Sequence, residues 1–276
     1  MKISTEEAFA TPSMMAEWKK LIDDGNPGEP GLEQMIGAIL DPISDWEAML
    51  QERLPELGPL RIQAMDESGV DMQLIFITAP GVQPFNADLA NALAIDANDV
   101  LIEAVNAHPA RFAGLAAIAP QAPEAAAKEL QRAVGLGLKG AAINSHTKGE
   151  YLDAPGFRPI LEAAVDLDVP IYLHPRTVPP AMAEIFAERH MEGAFWGFQT
   201  ETGLHMLRLM VSGVFDDLPD LKIVVGHLGE GIPFWLDRLD RQYHRGQPVR
   251  ERVPHWTAKR LPSEYLADNF FITSSG

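Results

Sequence analysis

Three side chains that can bind a metal ion or transfer a proton stand at the ends of apolar runs in this sequence. Glu6 ends the first run, His174 ends a run in the second half of the chain, and His227 ends a later one. Carboxylate oxygens and imidazole nitrogens are ligands that Zn²⁺ and Mn²⁺ accept. The chain contains no cysteine, so His, Asp or Glu side chains have to supply the ligands of any metal ion. The sequence therefore predicts a divalent metal site, if the fold brings these residues together.

Each of these residues also has an ordinary structural interpretation. His174, in "YLHPR", is compatible with a histidine that caps a strand end, and His227, in "GHLGEG", with one that forms a structural hydrogen bond to Glu230. Glu6 and its neighbour Glu7 are compatible with surface acids. The combination favours function, because all of these residues fall at the same end of the predicted strands, where catalytic groups gather in parallel β/α folds.

Seven short apolar runs, most of them rich in β-branched or aromatic residues, predict strands that are buried on both faces. Amphipathic stretches between them, such as 86–109 and 122–137, have the spacing of helices. Strands that alternate with helices through short linkers are typical of parallel β/α units wound in one hand. The seven predicted strands are 2–9, 71–78, 112–120, 140–145, 169–175, 222–227 and 270–276.

This alternation predicts an α/β fold, a TIM-type (β/α)8 barrel formed by a single domain over residues 1–276. Residues 11–60 are predicted to be an irregular insertion, which either contributes to a lid or is a solvated excursion, and both interpretations stay open. A closed barrel of this type has eight strands, whereas seven are counted here. We therefore expect the natural polypeptide to continue past Gly276 with a helix and an eighth strand.

The composition narrows the classes of partner. The chain has 39 acidic and 22 basic residues, a net charge of −17, which argues against binding to nucleic acids or to anionic membranes. The N-terminus lacks the basic and then apolar pattern of a signal peptide, and no stretch approaches about 18 uninterrupted apolar residues. We expect a cytoplasmic protein that acts on a small molecule.

Four segments of the sequence have patterns that are characteristic of one protein family: "ISTEEAFATP", "YLHPRTVPP", "GFQTETGLHMLRLMVSGVFDDLPDLKIVVGHLGEGIPFWLDRLD" and "NFFITSSG". Together they resemble the amidohydrolase-related decarboxylases, which are metal-dependent β/α-barrel enzymes that remove CO₂ from hydroxylated aromatic acids. The resemblance covers nearly the whole chain. It is strongest to the branch that contains 2,3-dihydroxybenzoate and 5-carboxyvanillate decarboxylases, and γ-resorcylate decarboxylase is more distant.

The resemblance implies one bound divalent ion, Mn²⁺ or Zn²⁺, with Glu6 and His174 as ligands. Much of the family begins with Glu-x-His, and here Ala8 stands in the position of that His. The resemblance also implies that His227 lies near the ion and is oriented by Glu230. The family's remaining ligand, an Asp at the end of strand eight, follows the "TSSG" motif, and we expect it in the continuation of the chain.

The function that the resemblance implies is the non-oxidative decarboxylation of an ortho-hydroxybenzoate-type acid. The candidates for substrate binding are Thr78, Phe198 and Arg61, and for Arg61 a salt bridge within a helix is the alternative. A metal-dependent hydrolase of an ester, lactone or amide stays an open alternative, as does a non-catalytic barrel that has lost part of its metal ligands. The family and the apolar segments 191–198 and 232–236 predict a homodimer or homotetramer.

Overall fold

Eight parallel strands lie within residues 1–25, 31–246, 248, 252 and 254–275, which the computed structural model describes. The strands are β1 (Ile3–Phe9), β2 (Met72–Ile77), β3 (Phe112–Gly114), β4 (Ala116–Ala117), β5 (Ala141–Asn144), β6 (Ile171–His174), β7 (Ile223–Val225) and β8 (Phe270–Ile272). They form two sheets, ordered β1-β2-β3 and β4-β5-β6-β7-β8, and neighbouring strands pair in parallel.

The two sheets are joined at Leu115, between β3 and β4. The N–H of Leu115 donates to the carbonyl of Ile75 in β2 at 3.0 Å, and the N–H of Ala116 donates to the carbonyl of Gly140, next to β5, at 2.8 Å. Successive residues of a parallel strand bond to opposite neighbours, so 112–117 acts as one strand between β2 and β5. The wall therefore has the seven strand positions that the sequence predicts, with the third one interrupted.

The outer edges of β1 and β8 have no strand partner among the described residues. The wall nevertheless curves far enough for Glu6 on β1 to contact Tyr172 on β6, so the strands surround a common axis. This curvature is that of the predicted TIM-type barrel. The expected continuation with an eighth strand stays a prediction, and Gly276 itself lies outside the described residues.

Helices connect the strands. The predicted helix 86–109 is observed as Ala87–Ala107, and it begins after Asn86, whose side chain accepts from the N–H of Leu89 at 3.0 Å. Within the described part of the chain, no helix combines the length and hydrophobicity needed to cross a membrane. The helices are α1 (Pro12–Asp23), α2 (Ala38–Leu40), α3 (Asp45–Arg53), α4 (Pro59–Ser68), α5 (Ala87–Ala107), α6 (Pro123–Gly135), α7 (Arg158–Asp166), α8 (Pro180–Ala187), α9 (Gly197–Val211), α10 (Val214–Asp217), α11 (His227–Glu230), α12 (Ile232–Gly246) and α13 (Pro262–Asn269), with a π-helical turn at Glu33–Gly37 and a 3₁₀ turn at Pro155–Phe157.

Residues 11–60, expected to be irregular, are mostly helical where they are described. Ser44 and Glu47 form a capping box at the start of α3. Trp18 of α1 is 1% exposed and donates its indole N–H to the carbonyl of Gly81 at 2.9 Å. The expectation of an irregular insertion is therefore wrong for these residues, because α1 packs onto the loop after β2 instead of extending into solvent.

Two apolar cores lie on the two sides of the strand wall. The larger one packs the helices against the outer face of the strands. The smaller one is formed by Phe76, Leu115, Ala142 and Tyr172, which are buried and come from β2, the β3–β4 junction, β5 and β6. Since β2 and β6 are not neighbours in the wall, these side chains meet across the barrel interior. Burial of a large apolar side chain stabilises the fold by roughly 1.5–3 kcal/mol, so this inner core provides a firm floor for the strand ends above it.

Candidate functional site

The carboxyl ends of β1, β6 and β7 meet at one carboxylate oxygen. Oε1 of Glu6 lies 3.0 Å from Nε2 of His174 and 3.0 Å from Nε2 of His227. All three side chains are largely shielded from solvent, with 11% of Glu6, 15% of His174 and 27% of His227 exposed. The structure thus brings together the three residues that the sequence places at strand ends.

An irregularity in β1 separates the directions of Glu6 and Glu7. Between Ser4 and Glu7, β1 contains one residue more than the facing part of β2. Such a bulge bends a strand and re-aims its side chains. Glu6 points to the two histidines, whereas Glu7 lies 3.8 Å from Arg61 and contacts the hydroxyl of Ser4. Glu6, and not Glu7, is the acid of the cluster.

Tyr172, Phe76 and Gly226 form the floor beneath Glu6. The Tyr172 hydroxyl donates to Oε2 of Glu6 at 3.1 Å, and burial, followed by the Glu6 charge, raises the pKa of this hydroxyl to about 12. The Phe76 ring lies 5.0 Å from the Tyr172 ring and 5.4 Å from the His174 ring. A Cβ on Gly226 would lie 2.6 Å from Oε2 of Glu6, so glycine is needed at this position to leave room for the carboxylate.

A left-handed turn after β7, the short element α11, holds His227 and Glu230. The φ angles are 50° at His227, 56° at Leu228, 75° at Gly229 and 55° at Glu230. Non-glycine residues in this region are strained, and such strain is concentrated at functional sites. Nδ1 of His227 lies 2.6 Å from Oε1 of Glu230, whose side chain is fully buried. Within the described residues, Oε2 of Glu230 has no hydrogen-bond partner.

Hydrogen bonds between these groups shift their pKa values in opposite directions. Burial opposes the ionisation of Glu6, but hydrogen bonds from His174 and His227 outweigh it and lower the pKa of the Glu6 carboxyl far below its ordinary value. Hydrogen bonds to Glu230 and then to Glu6 raise the pKa of His227 to about 10. His227 therefore holds a proton at neutral pH between two carboxylates.

The donor atoms have the chemistry of a divalent metal site. A metal-bound imidazole donates its other N–H to an acceptor, and here Nδ1 of His174 lies 2.9 Å from Oδ1 of Asn144. In the observed cluster Nε2 of His174 donates to the Glu6 carboxylate; with the proton on Nδ1 alone, the Nε2 lone pair would be free to bind a cation.

The cluster does not by itself provide a complete set of metal ligands. Among the described residues, no three His, Asp or Glu side chains form a group that could hold a metal ion as they stand. The shared Oε1 of Glu6 explains this, because both imidazoles hydrogen-bond to it and occupy the space around it. A bound ion would replace hydrogen bonds within the cluster and would need ligands beyond Glu6 and His174.

A cavity of about 470 Å³ opens above the cluster. His174, His227 and Glu230 form its polar side, and Phe198 is part of its apolar side. The full lining is His174, Pro175, Ala194, Phe198, Gln199, His227, Leu228, Glu230, Ser274 and Ser275. A larger cavity of about 580 Å³ lies between α9 and α12, away from the cluster, and its lining includes none of the acids or histidines described above. The smaller cavity is therefore the candidate site.

Thr78 and Arg61, the other two candidates for substrate binding, are not part of this lining. Thr78 follows β2, and its N–H donates to the carbonyl of Phe9 at 2.9 Å. The guanidinium of Arg61 donates to the carbonyls of Glu56 and Ala8 at 2.8 and 2.9 Å and lies in the ion pair with Glu7. The structure thus gives Arg61 the salt-bridging position that was its alternative interpretation, and it places neither residue in the cavity.

A buried polar network surrounds α9, the helix that carries Phe198. His205 is fully buried, its Nε2 accepts from the N–H of Leu152 at 2.9 Å, and its Nδ1 lies 3.0 Å from the hydroxyl of Ser145. A proton on Nε2 would face another donor, and burial lowers the pKa of His205 to about 3. Burial also raises the pKa of Glu201 to about 7. These groups support α9 and do not reach the cavity.

Sequence reasoning did not identify Tyr172, Phe76 or Gly226 as site residues. Tyr172 is two positions before His174 and therefore lies on the same face of β6, so strand alternation could have predicted it. Gly226 directly precedes His227, and a glycine next to a predicted catalytic residue indicates close packing. Phe76 gave no comparable indication, because its contact with β6 depends on the curvature of the whole wall.

The chain is similar to known proteins over its whole length. The family model described as amidohydrolase matches residues 34–268. The gamma-resorcylate decarboxylase of Polaromonas sp. is 38% identical over 284 residues, and the alignment covers 100% of this chain and 80% of that protein. The resemblance to amidohydrolase-related decarboxylases is thereby confirmed.

Two solved structures are similar in fold as well. The 5-carboxyvanillate decarboxylase from Novosphingobium aromaticivorans, complexed with manganese and 4-hydroxy-3-methoxy-5-nitrobenzoic acid, is 41% identical with a TM-score of 0.96, over 100% of this chain and 79% of that one. The 2,6-dihydroxybenzoate decarboxylase from Rhizobium is 37% identical with a TM-score of 0.82, over 100% and 80%. These structures confirm the barrel. The 5-carboxyvanillate decarboxylase is the more similar of the two, as expected from the resemblance in the sequence.

Replacing His205 by Gln should make the stability of the protein less sensitive to acid. The pKa of His205 is about 3 in the folded protein and about 6.5 in the unfolded chain, so the unfolded state binds the extra proton below pH 6.5. The stability that neutral His205 contributes is therefore present above pH 6.5 and is lost as pH falls. Between pH 6 and 5, the wild type should lose up to about 1.4 kcal/mol more than His205→Gln per pH unit. Urea unfolding at each pH measures this difference, and parallel curves for the two proteins would contradict it.

Proposed function

The chain belongs to the amidohydrolase family, and we propose that it catalyses the metal-dependent, non-oxidative decarboxylation of an ortho-hydroxybenzoate-type acid. The observation that carries this proposal is the convergence of His174 and His227 on one oxygen of Glu6 at the base of a cavity with an apolar side. The decarboxylases to which the chain is similar support the substrate class. A cavity of about 470 Å³ is large enough for a single substituted benzene ring.

Glu6 and His174 are the residues proposed to hold the divalent ion. The outer nitrogen of His174 has an acceptor in Asn144, and the inner nitrogen is directed at Glu6, as a metal ligand requires. We propose Mn²⁺ in preference to Zn²⁺, because a carboxylate oxygen is a ligand that suits Mn²⁺ and the similar 5-carboxyvanillate decarboxylase contains manganese. When bound, the ion would orient the carboxylate and ortho oxygen of the substrate and stabilise their negative charge.

His227, assisted by Glu230, is proposed to donate the proton that decarboxylation requires. Decarboxylation requires a proton at the ring carbon that carries the carboxylate, and the bond from that carbon to the carboxylate then breaks and releases CO₂ as aromaticity returns. His227 lies in the lining of the cavity and holds a proton at neutral pH. Glu230, 2.6 Å from Nδ1, stabilises the imidazolium and fixes the ring, and the proton on Nε2 is the one proposed to pass to the ring carbon.

The apolar side of the cavity is proposed to hold the flat ring of the substrate. Phe198 projects from α9 into the lining, and Pro175 follows His174 directly. Apolar walls exclude water from the ring, and His174 and His227 lie together in the lining, so the cavity favours an aromatic acid with its carboxylate at the end where the two imidazoles lie.

Replacing Glu6 by Gln should remove metal binding and activity together. Wild-type protein with Mn²⁺ is incubated with a panel of ortho-hydroxybenzoates, and CO₂ release and bound metal are both measured. The expected losses for Glu6→Gln are at least about 100-fold in turnover and in metal affinity, since removing even a supporting residue costs 10–100-fold. Glu7→Gln is the matched control, because Glu7 faces Arg61 instead of the histidines, and it should keep the bound metal.

Three results would overturn this proposal. Stoichiometric metal in Glu6→Gln would exclude Glu6 as a ligand. Turnover of lactones or esters without CO₂ release would identify a hydrolase. The absence of any turnover in metal-loaded wild type would favour a non-catalytic barrel.

We also propose that the chain forms a homodimer or homotetramer through exposed aromatic side chains. Phe234 is 82% exposed and Trp235 52%, and Phe195 and Trp196 in the other predicted segment are 78% and 53% exposed. Apolar side chains concentrated in this way are typical of protein interfaces. Sedimentation velocity at micromolar concentration should show an oligomer for the wild type and a smaller species for Phe234→Asp. A wild type that sediments as a monomer would contradict the proposal.

A further inference from the structure

The outer nitrogen of His174 has a buried hydrogen-bond partner on the neighbouring strand. Nδ1 of His174 lies 2.9 Å from Oδ1 of Asn144, the last residue of β5, and Asn144 is 1% exposed. The paired strands place Asn144 directly opposite His174 in the register of β5 and β6. The contact therefore joins the ends of two neighbouring strands.

Asn144 is itself held by a second buried amide, that of Gln83. Oε1 of Gln83 accepts from the N–H of Asn144 at 2.9 Å, and Nε2 of Gln83 donates to the carbonyls of Asn144 and His146, each at 2.9 Å. Gln83 is 2% exposed. These bonds fix the backbone at the end of β5, where Ser145 has a positive φ of 40°.

The other side of the Asn144 amide is packed against Gly81. A Cβ at Gly81 would lie 2.5 Å from Nδ2 of Asn144, so the amide fills the space that the missing side chain leaves. Gly81 is fixed in turn, because its carbonyl accepts from Trp18 and its φ is 62°. The amide therefore has little freedom to swing away from His174.

We propose that Asn144 is a positioning residue that holds a proton on Nδ1 of His174, so that Nε2, which contacts Glu6, is the nitrogen that loses its proton when an ion binds. Oδ1 of an amide only accepts hydrogen bonds, so it selects the tautomer with Nδ1 protonated. The opposite tautomer, with its only proton on Nε2, would keep the hydrogen bond to Glu6 at 3.0 Å and block an ion from that nitrogen. This inference rests on the proposed metal site, and it adds a residue that touches neither the ion nor the substrate.

Asn144→Asp and Asn144→Leu separate this role from simple packing. Asp keeps an acceptor oxygen of nearly the same shape, whereas Leu keeps the volume and removes the acceptor. If Asn144 only filled space, Leu would be tolerated and Asp, a buried charge, would be worse. If Asn144 orients His174, the Asp variant should keep metal binding and the Leu variant should lose it.

The dissociation constant of Mn²⁺ is measured for each variant from the electron paramagnetic resonance signal of the free ion. We expect an increase of about 10- to 100-fold for Asn144→Leu, and binding no weaker than that of the wild type for Asn144→Asp. Asn269→Leu is the matched control. Asn269 is also buried, but its amide donates to the carbonyls of Pro219 and Leu221 at the opposite end of the barrel.

A second readout follows the proton itself. In wild-type protein loaded with Zn²⁺, which is diamagnetic, ¹⁵N-histidine NMR should show the Nδ1–H proton of His174 protected from exchange with water. In Asn144→Leu this proton should exchange rapidly, while circular dichroism remains that of a folded barrel. This comparison detects loss of the acceptor even if the fold is slightly destabilised.

The outcomes distinguish this inference from the proposed function. Equal Mn²⁺ affinities for wild type and Asn144→Leu, in a protein that releases CO₂, would overturn the role of Asn144 and leave the decarboxylase intact. Tighter Mn²⁺ binding by Asn144→Leu than by Asn144→Asp would also overturn the role of Asn144. A wild type that binds no Mn²⁺ would overturn the metal site and the inference together.

Discussion

Oε1 of Glu6 lies within hydrogen-bond distance of two imidazole nitrogens, one from His174 and one from His227. An anionic oxygen can be placed between two rings on different strands only if the three strand ends are held to within fractions of an ångström. The bulge in β1 turns Glu6 inward, the Tyr172 hydroxyl holds its second oxygen, and Gly226 leaves the space that the carboxylate fills. These three features of the barrel mouth together fix the position of Oε1 of Glu6.

That arrangement carries an energetic cost that a purely structural role would not explain. His227 and Glu230 have left-handed backbone conformations, each of which costs roughly 1–3 kcal/mol. These penalties are several kcal/mol against a typical folding margin of about 5–15 kcal/mol. Proteins retain strained backbone conformations of this kind mainly at functional sites.

The sequence predicts the strands and the three converging residues because both follow from local patterns. Buried strands are apolar runs, and the rule that parallel β/α barrels place chemistry at the carboxyl ends of strands locates Glu6, His174 and His227. The choice between Glu6 and Glu7 depends on a bulge, which no local pattern in this chain announces. Arg61 was ambiguous in the sequence because an arginine on a helix can bind a substrate carboxylate or form a salt bridge, and its partners are set by tertiary packing.

The remaining features were missed for different reasons. Helix α3 within residues 11–60 was detectable, because Ser44 and Glu47 have the spacing of a capping box at its start. The pairing of Asn144 with Gln83 was not detectable, because the two residues are 61 positions apart and their contact exists only in the folded barrel.

A crystal of the protein grown with Mn²⁺ tests the central claim, that Glu6 and His174 bind one divalent ion, most directly. Data collected at the manganese absorption edge give an anomalous difference map in which the ion is identified without reference to activity. The account predicts one strong peak about 2.0–2.3 Å from a carboxylate oxygen of Glu6 and from Nε2 of His174. A map with no peak at this position under saturating Mn²⁺, with the carboxylate still hydrogen-bonded to both imidazoles, would contradict it.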